Sequence, residues 1–253
     1  MSSNVTTKDS KGACWITISR KQKANALMPD DCVAIGRYVE EAIARPEIKA
    51  IVFTGAGDRA FCAGMDVGAF LALNASTARG FIEPLKDMLN TVRQAAVPTI
   101  AGINGGCIGA GLELAAACDL RIAVNTAVFG LPEIQVGIPS ALDAALLQQY
   151  IGLSKAKEMI ILGEIYSARE MNDWGFLNRL VEPDELEATL NKVVAKVQPF
   201  TRTVTASQKR MFETWQNFGI KDANDISVDL WAAVFTEDET MEAIAEYKKT
   251  KLS

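Results

Sequence analysis

The chain has 253 residues, 49% of them hydrophobic and 23% charged, which suits one large α/β domain or two small ones. Its formal net charge of -5 speaks against a general nucleic-acid binder, and it contains no histidine. The five cysteines are odd in number and lack C-x-x-C spacing, so zinc-finger and histidine-ligand metal sites are excluded, and the thiols read as reduced core residues of a cytoplasmic protein.

The polar N-terminus, M-S-S-N-V-T-T-K-D-S-K-G, has no apolar segment and predicts no secretory signal. Cys14–Ser19 is rich in β-branched and aromatic residues and reads as a strand. A helix is expected from Pro29, with Asp30 and Asp31 at its positive end, an apolar stripe of Ile35, Tyr38, Val39, Ala42 and Ile43, and a stop at Pro46. Lys49–Thr54 predicts a buried strand. Between Val67 and Leu89, Gly80 and Pro84 are expected to interrupt any long helix. Val97–Ile103 predicts a strand, 109–118 a short helix and Leu120–Val124 a strand, together a tight crossover between parallel strands. The span 95–118 is apolar, but Thr99, Asn104, Glu113 and its glycines make it a core segment rather than a membrane span. Ser167-Ala-Arg-Glu170 is a capping box opening a helix that Gly175 closes, and Asp184 opens another running through Val197. From Pro199 onward the pattern is helical, and its aromatic residues, Trp215, Phe218, Trp231 and Phe235, call for packing on the core or on another subunit.

Four features carry chemistry. Glycines in 105–111 stand just before a helix, where they serve either close helix–strand packing or the approach of a ligand to unpaired amides. Phe61-Cys-Ala-Gly-Met-Asp66 is a second small-residue turn, with Asp66 near a helix cap. Glu113 lies in a helix apolar all round, so it is no surface charge; it either satisfies the first helical turn or works in catalysis. Glu133, after Pro132, reads on its own as an exposed turn carboxylate. Arg20, Lys21 and Lys23 form a basic cluster suited to phosphates or to solvent.

Taken in order, Ile16–Leu27, Ala60–Asp66, Ile103–Asp119, Phe129–Pro139 and Gly163–Val181 resemble the enoyl-CoA hydratase/isomerase family, the crotonase superfamily, across nearly the whole chain. The resemblance implies a crotonase-like spiral of β-β-α repeats over 1–197 and a C-terminal α-helical oligomerisation or lid region over 198–253. It implies an acyl-CoA thioester as substrate, no cofactor beyond the coenzyme A that the substrate carries, no metal, and a homotrimer or homohexamer that binds neither nucleic acid nor membrane. By position, Glu113 would activate water and Glu133 would handle the α-proton, with oxyanion amides at Ala63 and Ala110. Coenzyme A would meet Lys21, Ala24, Ala26, Asp66 and Val67. Having both glutamates favours hydration of a 2-enoyl-CoA; the alternatives are a double-bond isomerase or another acyl-CoA lyase or hydrolase, and a non-catalytic acyl-CoA binder. After Pro139 the chain has Ser-Ala-Leu-Asp where fatty-acid hydratases commonly carry a glycine-rich turn, which leaves a specialised acyl group open.

Overall fold

The structure is a computed structural model that describes residues 4–251. Residues 1–3 and 252–253, the outer ends of the two segments and the start of the polar N-terminus, lie outside the described residues. A hairpin of β1 (Val5–Ser10) and β2 (Ala13–Ile18) opens the chain, followed by α1 (Pro29–Ile43). Three β-β-α steps come next. The first holds β3 (Ala50–Gly55), β4 (Ala60–Cys62), α2 (Val67–Phe70) and α3 (Ala78–Gln94). The second holds β5 (Thr99–Ile103), β6 (Gly106–Ile108) and α4 (Ala110–Ala117). The third holds β7 (Leu120–Val124) and β8 (Val128–Gly130), then 3-10 turns at Pro132–Val136 and Leu142–Leu146, α5 (Leu147–Tyr150) and α6 (Gly152–Leu162).

The first strand of each step joins one sheet and the second joins the other. The larger sheet has the order β1-β2-β3-β5-β7-β10, with β10 at Arg179–Val181; the smaller has β4-β6-β8-β9, with β9 at Ile165–Ser167. Each step therefore advances both sheets by one strand, which is the expected spiral. Strands β2, β3, β5, β7 and β10 run parallel, and β3 and β5 are buried almost throughout, as parallel strands covered on both faces must be. Helix α7 (Ala168–Asp173) starts at the capping box of Ser167 and Glu170, and α8 (Leu186–Val197) covers β5 and β7.

Helices α9 (Arg202–Asn217), α10 (Ile220–Ala233) and α11 (Asp238–Lys251) follow, so the last segment is helical. It is tied to the core by the Lys209 ammonium, which donates to Asp119 at 2.6 Å and to the Val97 carbonyl at 3.3 Å. Among the described residues no helix is long and apolar enough to cross a membrane, and all five cysteines are buried free thiols.

One expectation fails. Helix α3 runs unbroken through Gly80 and Pro84. Pro84 removes only the bond to the Gly80 carbonyl, near the exposed start of the helix, while Leu85, Met88, Leu89 and Val92 bury the later turns.

Candidate active site

Close approach of two backbones builds the site. Helix α4 starts against β4: a Cβ on Gly111 would overlap the Cys62 carbonyl, so only glycine lets the helix start there. Gly109, at φ 56 and ψ -126, turns the chain into that helix in a conformation that other residues avoid. A Cβ on Gly109 would stand 2.7 Å from Glu133 Oε1 and 3.5 Å from the Gly64 Cα, so the two glycine turns and the second carboxylate meet at this point.

The amides there are not equivalent. The Ala63 N–H donates to the Ala24 carbonyl at 3.1 Å, which removes Ala63 from the oxyanion role expected of it. Gly64 N–H turns to the Cys62 sulfur at 3.4 Å, and Asp66 N–H to the Leu27 carbonyl at 2.9 Å. The Met65 N–H is left over, because the bridge between Leu27 and Met65 uses the groups on either side of it. The residue is buried, with its sulfur 4.0 Å from Cys32 Sγ, and it is part of the cavity lining. Ala110, first residue of α4, likewise has an N–H without a helical partner. Among the described residues, the Met65 and Ala110 amides thus meet no acceptor.

Both glutamates face the same cavity of about 240 Å3, whose walls are otherwise mostly apolar: Val67, Phe70, Ile82 and Leu85 on one side, Val136, Ile138 and Leu142 on another. Glu113 is 6% exposed. Burial, then the charge of Glu133, pushes its carboxyl up to about 8, and the Ala144 N–H at 3.4 Å opposes this only weakly. Glu133 is not the free surface carboxylate that its turn alone suggests: the Ser140 hydroxyl donates to its Oε2 at 2.7 Å. Behind Glu113 lies Asp143, buried and held by Arg93; burial raises its carboxyl, and the guanidinium opposes that rise. Leu142, next to Asp143 in the chain, sits at φ 50, where a side chain costs about 1–2 kcal/mol.

The loop expected to meet coenzyme A lies beside this cavity. Lys21 sits in an exposed 3-10 turn, Lys21–Lys23, closed by Ala24 in the left-handed region. Ala26 is buried, and its carbonyl accepts from Arg20; Val67 is exposed at the cavity edge. Arg20 pairs with Asp66 at 2.7 Å, and Asp66 also caps α2 by accepting from Gly68 N–H. Burial would raise the Asp66 carboxyl, but Arg20 and Gly68 together hold it low. The Arg20 and Asp66 side chains therefore brace the loop, which leaves Lys21 and Lys23 as the cluster's outward cations. Asn25, 1% exposed, pins the loop by donating to the Ala60 carbonyl at 2.7 Å. Met65, Ser140, Asn25 and Asp143 have no part in the sequence-level site; Ser140 and Asp143 show there only as replacements for a glycine turn.

A profile of the enoyl-CoA hydratase/isomerase family matches residues 8–252. A crotonyl-CoA hydratase of Syntrophomonas wolfei is 30% identical over 92% of this chain and 91% of its own length. A short-chain-enoyl-CoA hydratase of Clostridium acetobutylicum is 28% identical over 92% of this chain and 89% of its own. The solved enoyl-CoA hydratase of Mycobacterium smegmatis superposes with a TM-score of 0.92 at 25% identity, covering 98% of this chain and 97% of that one. Site, fold and profile agree: the chain belongs to the enoyl-CoA hydratase/isomerase family and is an enzyme of the crotonase superfamily.

Proposed function

We propose that the protein adds water reversibly to a 2-enoyl-CoA thioester, with Glu113 and Glu133 as acid–base pair and the Met65 and Ala110 amides as oxyanion hole. The observation that carries this reading is two carboxyl groups on one apolar cavity beside two unspent amides. The relatives named as crotonyl-CoA and short-chain-enoyl-CoA hydratases support it.

The thioester carbonyl would lie at the two amides, each worth about 3 kcal/mol to the enolate that forms when oxygen adds to the β-carbon. Water must lose one proton and the α-carbon must gain one. Burial, with the charge of Glu133, raises the Glu113 carboxyl to about 8, so the proposed resting form has Glu113 protonated. A neutral carboxyl cannot take a proton from water. In that resting form Glu133, oriented by Ser140, is the base and Glu113 the acid, the reverse of the split that the resemblance implied. The proton then returns from Glu133 to Glu113 before the next turnover. These steps need no group beyond the substrate and these side chains.

Lys21 and Lys23 would face the phosphates of coenzyme A, while Ala24, Ala26 and Val67 would supply backbone and apolar contacts. Helices α9–α11 would assemble three copies, or two such trimers. The five buried free thiols support a reducing, cytoplasmic location.

Incubation with crotonyl-CoA tests the activity. Hydration consumes the conjugated thioester absorbance; an isomerase would leave crotonyl-CoA intact and create that absorbance from a 3-enoyl-CoA. Unchanged crotonyl-CoA, bound or unbound, would remove the hydratase reading.

A further inference from the structure

One turn of the catalytic cavity's lining, Ser140-Ala-Leu142, also lines a second cavity. That cavity is about 330 Å3, and the two share these three lining residues and no others. The second cavity has Ala144, Leu153, Ala156, Ile160 and Ile161 in its walls together with Gln148 and Lys157, and it opens to solvent, with Leu153 54% and Ile161 61% exposed. Of the three shared residues, Ser140 is bound to Glu133 and Ala141 offers only a methyl group. The isobutyl group of Leu142 is therefore the bulk of the partition. It is half-buried, packs on the hydrophobic core and stands at φ 50, a conformation that glycine adopts freely and leucine does not. Leucine thus stands at a strained position in the turn that the two cavities share.

We propose that Leu142 determines acyl specificity: its side chain closes the far end of the catalytic cavity, so the site accepts a crotonyl-sized acyl group and rejects longer chains. This rests on the enoyl-CoA reading of the site. With the thioester oxygen at Met65 and Ala110 and the double bond at the two glutamates, an acyl chain extends toward the 136–142 wall. Beyond the first few carbons it meets Leu142. Without that side chain the tail would pass into the second cavity, where each further buried methylene tightens binding by about fourfold.

The test uses binding as well as turnover. Saturated butyryl-CoA and octanoyl-CoA are titrated calorimetrically into the wild type, Leu142→Gly and Leu142→Ala, and kcat/KM is measured on crotonyl-CoA and trans-2-octenoyl-CoA. The wild type should bind octanoyl-CoA no more tightly than butyryl-CoA. Leu142→Gly should raise the octanoyl-to-butyryl affinity ratio by about tenfold or more, a few buried methylenes' worth, and move the octenoyl-to-crotonyl kcat/KM ratio the same way. Leu142→Ala removes the same bulk while keeping a side chain at this φ; it should act in the same direction and reads the proposal if the glycine variant does not fold. Ratios unmoved in both variants would overturn it, as would a wild type that already binds octanoyl-CoA far more tightly than butyryl-CoA. A wild type that discriminates by chain length in binding yet leaves crotonyl-CoA unchanged would sink the hydratase reading and leave the partition standing.

Discussion

Glu113 is a residue at which the needs of folding and of chemistry oppose each other. Its carboxyl rises from 4.5 to about 8 on folding, so the folded state holds a proton that the unfolded chain has released. Below pH 4.5 both states are protonated and the group is neutral in its effect. Between there and about 8 stability falls as pH rises, and above about 8 the penalty is complete. At pH 7 this corresponds to about 3 kcal/mol. Glu113→Gln should therefore melt higher than the wild type at pH 8, match it at pH 4, and hydrate crotonyl-CoA at least about a hundredfold more slowly. Thermal melts at the two pH values check the sign; a wild type that gains on the variant with rising pH would refute it. Wild-type hydration should decline above about pH 8 as Glu113 loses its proton. Ser140 acts through its neighbour: its hydroxyl orients the Glu133 carboxylate at 2.7 Å. Ser140→Ala should lower kcat on the order of tenfold with little change in KM, in line with the loss of one hydrogen bond to a charged group. Ser140→Thr, which keeps the hydroxyl, should restore most of the rate.

At the scale of elements, the site is the meeting of the β4 turn with the start of α4, and glycine sets their distance. Gly109→Ala would put a methyl group 2.7 Å from Glu133 Oε1, at φ 56. The carboxylate must move off its position, so kcat should fall at least about a hundredfold, while the strained backbone costs about 1–3 kcal/mol in denaturant titrations. A Gly109→Ala enzyme with near-normal kcat would show that Glu133 does not work from this position. The glycines, α4 (apolar but for Glu113) and the parallel strands β3, β5 and β7 were legible because burial on every side leaves continuous apolar runs. Strand β1 was not: VTTKDS is mostly exposed, an edge that pairs only with β2. Strands β4, β6 and β8 have three residues each, too few for any periodicity to show. That the Ala63 amide is taken up and the Met65 amide is not depends on which groups the distant 24–27 loop consumes, and no local pattern encodes that pairing.

At the scale of the whole molecule, the core and the C-terminal helices differ in what they show to solvent. Phe53, Phe61, Phe129 and Phe176 are fully buried in the core, whereas in α9, α10 and the segments around them Phe218 is 55%, Ile220 77% and Trp231 61% exposed. The inner side of this region is anchored by Lys209 on Asp119 and by Arg93 toward Glu213, so the exposure is not that of a detached tail. A fixed helical layer with an apolar outer face gains by covering that face with another copy, and burying one large aromatic contributes about 2–3 kcal/mol. The proposed trimer or hexamer predicts three or six chains by light scattering at micromolar concentration. Phe218→Asp combined with Trp231→Asp should shift that mass toward the single chain while circular dichroism remains unchanged. Both substitutions lie outside the catalytic cavity, so a loss of assembly with folding intact locates the contact on this face. A wild type that already weighs one chain, or a double variant that keeps the full mass, would assign the exposed aromatics another role.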